Sequence, residues 1–186
     1  MARPQRTYND KWVWIDLEMT GLNESRCTIL QAAMIITDPA FNEIATEEVT
    51  IWQPEAVISE IGPFVRDMHT KNGLLKKVRS SQKTIEDAES QLLSTLSQFV
   101  PYRKGILVGN SIYMDRRFLA RYMPAFEGYL HYRQIDVSSI KIVCQEWYRE
   151  EPKHMKPPSS HTALEDIRES ISELKHYKSK FFRDLV

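Results

Sequence analysis

From Thr28 to Thr37 the chain is almost continuously apolar, and Asp38-Pro39 stops the run. Such a stretch reads as a strand, and it has neighbours of the same kind. Trp12-Val13-Trp14-Ile15 precedes it, a short apolar, aromatic and β-branched run followed by Asp16 and the turn residues Thr20-Gly21. Asn42–Trp52 comes after it, with Ile44, Val49 and Ile51 set among Glu and Thr in the alternation of a half-buried strand. Three runs joined by short links predict an antiparallel meander.

Past Pro54 the period changes. Ile85, Ala88, Leu92, Leu93, Leu96, Phe99 and Val100 recur at three, four and seven, which predicts a helix over Thr84–Val100 with one inward face. Thr84 and Asp87 resemble a capping box, and Pro101 ends the helix. Ile106–Val108 reads as a buried strand leading to Gly109, Phe118–Tyr122 as helical and Gln134–Val137 as a fifth strand. Ile140–Trp147 and Ala163–Tyr177 read as helices, the last with Leu164, Ile167, Ile171 and Leu174 inward. The order β-β-β-α-β-α-β-α-α predicts an α/β fold, a central mixed five-stranded sheet flanked by helices. No element is assigned between Pro54 and Thr84. Lys153–Ser160, rich in Pro, Lys and Ser, reads as a flexible connection ending at His161.

At 186 residues the chain fits one domain with a real core. With 42% apolar residues and 27% charged, disorder is excluded as the main state. No apolar stretch is long enough to span a bilayer, so no membrane partner is expected. The start, MARPQRTYND, has no apolar core of a secretory signal. Two cysteines without ligand or disulfide spacing fit a reducing, cytoplasmic compartment. Zero net charge argues against a generic nucleic-acid coat and leaves room for a local basic site. The charge is uneven, however: residues 1–50 carry 4 basic and 8 acidic groups, and residues 101–150 carry 8 basic and 5 acidic. A cation-gathering site beside a phosphate-gathering wall would give that asymmetry, and so would ordinary surface scatter.

The chain has no GxGxxG, P-loop, HExxH, GxSxG or paired CxxC. Three other elements carry candidate chemistry. Asp16 and Glu18 flank Leu17 at a strand end, so a side-chain period of two points both carboxylates to one face. They repel unless water or a cation neutralises them, and hard oxygen donors suit Mg²⁺ or Mn²⁺. Taken alone the pair is also what an exposed polar strand end looks like. Next, Gly109-Asn110-Ser111 leads from a buried strand into a helix whose first turn holds Asp115. Asp115 is either a carboxylate at a helix N-terminus or a third metal ligand, with Ser111 facing phosphate. Arg116 and Arg117 are candidate phosphate contacts or solvated side chains. Last, His161 and Asp166 lie five apart at a helix start after the flexible connection, where a neutral imidazole can take a proton from an attacking water. Asp16, Glu18, Asp115, Asp166 and His161 together are what a two-metal phosphodiester hydrolase needs.

These residues sit in segments that resemble the DEDDh 3′→5′ exonucleases, and within them the oligoribonuclease branch. The segments are WIDLEMTGL (14–22), HTKNGL (69–74), GNSIYMDRRFL (109–119), HYRQIDVSS (131–139) and HTALEDIRESI (161–171). The resemblance implies an RNase H-like fold and a homodimer. It also implies release of 5′-mononucleotides from the 3′ end of short single-stranded RNA a few nucleotides long, with two divalent metal ions (Mg²⁺ or Mn²⁺) as cofactors. By position, Asp16, Glu18, Asp115 and Asp166 match the metal ligands and His161 the general base. Leu22 matches an apolar wedge against a base, and Phe64 stands where the family carries a stacking Trp. His69, Ser111 and Ser138 match substrate-contacting polar positions. Tyr132 and Arg133 match the arm that reaches the partner subunit's site. Two other readings remain open: a proofreading-type DNA exonuclease on longer strands, and an inactive nucleic-acid-binding module. The DLEMTGL and HYR segments argue against the first. Unused paired carboxylates, which would repel RNA phosphates, argue against the second.

Overall fold

A computed structural model describes residues 11–148 and 162–182. His161 and the expected flexible connection at 153–160 lie outside the described residues. Strands β1 (Trp12–Met19), β2 (Ile29–Thr37) and β3 (Glu43–Thr50) form the expected antiparallel meander. β4 (Ile106–Gly109) pairs parallel to β1, and β5 (Gln134–Asp136) pairs parallel to β4. The sheet is mixed, in the order β3-β2-β1-β4-β5.

Every residue of β2 is buried, because the sheet is covered on both faces there. Along β1 the two faces separate cleanly. Val13, Ile15 and Leu17 pack with Leu92 and Leu96 of α4 (Ile85–Phe99) and with Phe118 and Leu119 of α5 (Tyr113–Tyr122). Trp14, with Ala33 and Ile35, packs on the other face against Val137 and Cys144 of α7 (Val137–Tyr148) and Ile167 and Ile171 of α8 (Ala163–Phe181). Each fully buried side chain of this size contributes about 1.5–3 kcal/mol. The buried Trp14 indole also donates to Thr37 Oγ1 at 3.0 Å, which satisfies its polar edge.

The capping box of α4 is present in full: Thr84 accepts from the Asp87 N–H, and Asp87 accepts from the Thr84 N–H. Of the apolar positions expected inward on α4, Phe99 is 40% exposed and lies off the buried face. α5 begins at Tyr113, earlier than its apolar spacing indicated. Four short helices were not anticipated: α1 (Glu55–Ser59), α2 (Pro63–Lys71), α3 (Leu74–Ser80) and α6 (Pro124–Tyr129). The first three enclose a satellite core in which Ile58, Ile61, Leu74, Leu75 and Val78 meet Leu30 of β2. That core is completed by a residue of β2. None of the described helices is long and apolar enough to cross a membrane.

Candidate active site

β1 carries Trp14, Asp16 and Glu18 on one face, as its period of two requires. Where Trp14 meets the apolar side of α8, the next residues of the row meet that helix's first turn. Asp166 stands there, and oxygen atoms of Asp16, Glu18 and Asp166 lie within 4.8 Å of one another. Burial, and then the charges of Asp115, Glu18 and Asp166, hold the Asp16 pKa well above the ordinary carboxylate range. Burial and the charges of Asp166 and Asp115 push Glu18 up to about 7.

Asp115 is in the first turn of α5 and is 7% exposed. The parallel pairing of β1 with β4 stops at Trp14 and Val108, so the far end of β1 needs another acceptor on that side. Asp115 Oδ1 supplies it, accepting from the Leu17 N–H at 3.0 Å. The carboxylate is thus fastened between Asp16 and Glu18 in sequence, although it is not one of the three clustered groups. Burial pushes its pKa up to about 7 against the effect of that hydrogen bond. Gly109 is what lets β4 come so close to β1: a Cβ there would stand 3.0 Å from the Ile15 carbonyl oxygen.

The donor set fits a hard divalent cation. Clustered carboxylates that raise one another's pKa are charge-starved, and carboxylate oxygen is the donor that Mg²⁺ and Mn²⁺ prefer.

Around the carboxylates the other predicted positions fall into two groups. His69, fully buried on α2, donates from Nε2 to the Met19 carbonyl at 3.0 Å, which leaves Nδ1 unprotonated and 3.8 Å from Glu18 Oε2. Burial lowers its pKa. Ser111 and Ser138 meet at 3.3 Å between their hydroxyls. Ser111 has a φ of 49°, a left-handed conformation costing about 1–3 kcal/mol in a non-glycine residue. Its N–H is held by Asp136 Oδ1 and Ser138 Oγ, each at 3.1 Å. Leu22, Phe64, Tyr132 and Arg133 are instead exposed side chains.

Arg116, mostly covered, pairs with Glu127, and Arg117, exposed, pairs with Glu24 in the loop that carries Leu22.

Three supporting residues were not anticipated as such. Asp136 accepts from both Ser111 and Ser138 N–H groups. Asn110 accepts from Ser138 Oγ and donates to Ser170 Oγ and Glu173 Oε2. Glu173, 3% exposed, also accepts from Tyr177 and pairs with Lys141. The signal was available, since Ser170 and Glu173 interrupt the inward stripe of α8, and a buried polar group needs a partner.

Comparison with known proteins agrees with this geometry. The model of the family described as Exonuclease matches residues 13–174. An oligoribonuclease from Francisella tularensis subsp. tularensis (strain WY96-3418) is 45% identical over 172 residues, covering 92% of this chain and 96% of the relative. One from Azoarcus sp. (strain BH72) is 44% identical over 172 residues, 92% of this chain and 94% of the relative. Among solved structures, the zinc-bound form of the E. coli ExoI–ssDNA complex superposes with a TM-score of 0.67 at 19% identity, covering 94% of this chain and 41% of that one. This chain therefore spans about two fifths of ExoI, and the likeness to it is one of fold. With the family's residues running through both faces of the sheet and nearly the full length of its oligoribonuclease relatives matched, the chain belongs to the exonuclease family, on its oligoribonuclease branch.

Proposed function

We propose that the protein is a 3′→5′ exoribonuclease that hydrolyses very short oligoribonucleotides, dinucleotides above all, to 5′-mononucleotides. The observation that carries the reading is the cluster of Asp16, Glu18 and Asp166 oxygens within 4.8 Å, in a chain at 45% identity to an oligoribonuclease. Asp16, Glu18 and Asp166, with Asp115 beside them, would hold two divalent cations, Mg²⁺ or Mn²⁺. Bound there, the cations polarise the scissile phosphoryl group, ease deprotonation of the attacking water and stabilise the departing oxygen.

The chain's own residues do the rest. His161 takes the proton of the attacking water. The water oxygen bonds to phosphorus and the bond to the preceding nucleotide's O3′ breaks, which frees a 5′-mononucleotide. His69, fully buried with Nδ1 3.8 Å from Glu18 Oε2, backs that carboxylate from inside the protein, one layer behind the substrate. Leu22 and Phe64 present exposed apolar faces for the bases. Ser111 and Ser138 face the 5′ phosphate, with Tyr132 and Arg133 supplied by a second copy of the chain. The exposed Ile142, Val143 and Trp147 on α7, which follows that segment in the chain, support an assembly through this side of the sheet. A rim closed in this way adds contacts for two bases and none for a longer strand. A cytoplasmic setting belongs to the same reading.

The test is hydrolysis of a labelled diribonucleotide beside a longer RNA and a DNA strand of equal length, with Mn²⁺ or Mg²⁺ and with chelator. Metal-dependent release of mononucleotides, fastest from the diribonucleotide, is the expected result. Preference for the long DNA strand would move the protein to the proofreading type, and no turnover at all would leave a binding module.

A further inference from the structure

The segment His131-Tyr132-Arg133 enters β5 through a bend at Tyr132. In a strand, successive carbonyls point to opposite sides. Here the carbonyls of His131 and Tyr132 both turn toward one side chain. Arg116 donates from Nη2 to the His131 oxygen at 3.1 Å and from Nη1 to the Tyr132 oxygen at 3.0 Å. Nη1 also lies 3.4 Å from Gln134 Oε1, and Nε donates to Glu127 Oε1 at 2.9 Å. The guanidinium thereby satisfies acceptors on both sides of the bend at once, something its rigid planar fork can do and a lysine ammonium cannot.

The bend has few other supports. The His131 N–H donates to the Gly105 carbonyl, and the Arg133 N–H donates to His131 Nδ1. The His131 and Tyr132 rings stack at 4.5 Å, and Arg133 lies over the Tyr132 ring at 5.2 Å. Tyr132 itself is 72% exposed. A surface hollow of about 360 Å³, lined in part by Arg103, Arg116, His131 and Tyr132, lies beside the bend, so little packing holds it on that side.

Arg116 is also the neighbour of Asp115. One turn of α5 therefore aims Asp115 at the end of β1 and Arg116 at the bend, two consecutive side chains fixing two separate parts of the molecule.

We propose that Arg116 is a positioning residue for hydrolysis: it holds the His131–Arg133 segment in the one conformation from which Tyr132 and Arg133 engage a dinucleotide. This rests on the reading of Tyr132 and Arg133 as substrate-contacting residues. Arg116 touches neither substrate nor reacting atoms; its effect passes through the segment it fastens.

The experiment compares Arg116→Lys, Arg133→Ala and the double variant by steady-state kinetics on a diribonucleotide with Mn²⁺, and follows hydrogen exchange over 131–133. Arg116→Lys is expected to raise KM about tenfold with kcat within about twofold, since binding geometry and not the reacting centre is disturbed. Exchange over 131–133 should quicken. In the Arg133→Ala background the same change should add little, because both act through one segment. Glu127→Gln loosens the same fork with less risk to folding, and about a threefold rise in KM is expected of it. An unchanged KM in both fork variants, beside a clear loss in Arg133→Ala, overturns the positioning role and leaves the substrate reading intact. Full multiplication of the two losses in the double variant overturns it as well. If Tyr132→Ala and Arg133→Ala are themselves without effect, the substrate reading fails and the positioning role goes with it.

Discussion

The Leu17 N–H donates to Asp115 Oδ1 at 3.0 Å across 98 residues of chain, and this bond ties the end of β1 to the first turn of α5. Its position matters because the residues on either side of Leu17 are Asp16 and Glu18. The carboxylate that completes the candidate metal site thus also sets the backbone from which two of its companions project.

Asp115→Asn and Asp115→Ala should therefore differ. The amide oxygen of Asn still accepts from Leu17, so Asp115→Asn is expected to fold normally and lose roughly 100-fold or more in hydrolysis. Asp115→Ala should lose the same activity and about 1–3 kcal/mol of stability besides, because a buried N–H is left without an acceptor. Denaturant midpoints and turnover measured on both variants check this. Hydrolysis by Asp115→Asn within a few-fold of wild type would remove Asp115 from the metal site.

The metal-free protein should become less stable as pH rises. Burial, with neighbouring carboxylates, pushes Glu18 up to about 7; burial pushes Asp115 up to about 7 and Asp16 is raised as well. Their unfolded values lie near 4, so from about pH 4 to 7 the folded chain holds protons that the unfolded chain has released. Stability from Glu18 and Asp115 is greatest below about pH 4, is lost as pH climbs to about 7, and levels off above it, and the raised Asp16 adds a loss of the same sign. Saturating Mn²⁺ should raise the melting temperature more at pH 8 than at pH 5.5, with about 2.7 kcal/mol of stabilisation at a hundredfold excess over Kd. A larger shift at the lower pH would contradict the site.

Mixing two variants gives a direct check on the proposed dimer and its shared sites. Asp115→Asn protein supplies an intact Tyr132–Arg133 segment, and Arg133→Ala protein supplies intact carboxylates. Subunit exchange should create one complete site per mixed dimer, so activity after mixing should exceed the sum of the two proteins measured apart. Activity equal to that sum would mean that each subunit works alone.

Glu173 should matter at a distance. Burial pushes its pKa up, but the hydrogen bonds from Tyr177 and Asn110 and the nearby Lys141 outweigh burial and keep it below the ordinary value. Glu173→Ala would strand those donors at a cost of about 2–3 kcal/mol. Because Asn110 also accepts from Ser138, kcat/KM should fall several-fold in protein that is still folded. Thermal melts and kinetics below the transition would show both effects, and a change in stability with kcat/KM untouched would detach the network from the site.

Thr84→Ala serves as the remote comparison. Losing the cap of α4 should cost about 1 kcal/mol and leave kcat and KM alone. Urea unfolding with an unchanged m-value is the readout.

Much of this architecture was legible one element at a time. The meander, the capped α4, both parallel strands and α8 follow from periodicity and a few turn and cap residues, which act between neighbours in the chain. Glu18 lies on the face of Asp16 for the same reason. α1, α2 and α3 escaped notice because Pro63–Lys71 is polar on most sides and its companions are short. They hold as helices by packing over Leu30, a residue of β2.

Local rules were enough for the strands and main helices, the pairing of Asp16 with Glu18 on one face, and the family to which the motifs point. It took the folded chain to bring Asp166 within 4.8 Å of them, to bond Asp115 to the backbone between them, and to set Arg116 on the Tyr132 bend. The difference is one of range. Side-chain period, caps and turns are set within a few residues, whereas these contacts close long loops. Their entropic cost is met by a core that exists only once the sheet is assembled and α4, α5, α7 and α8 have closed over its two faces.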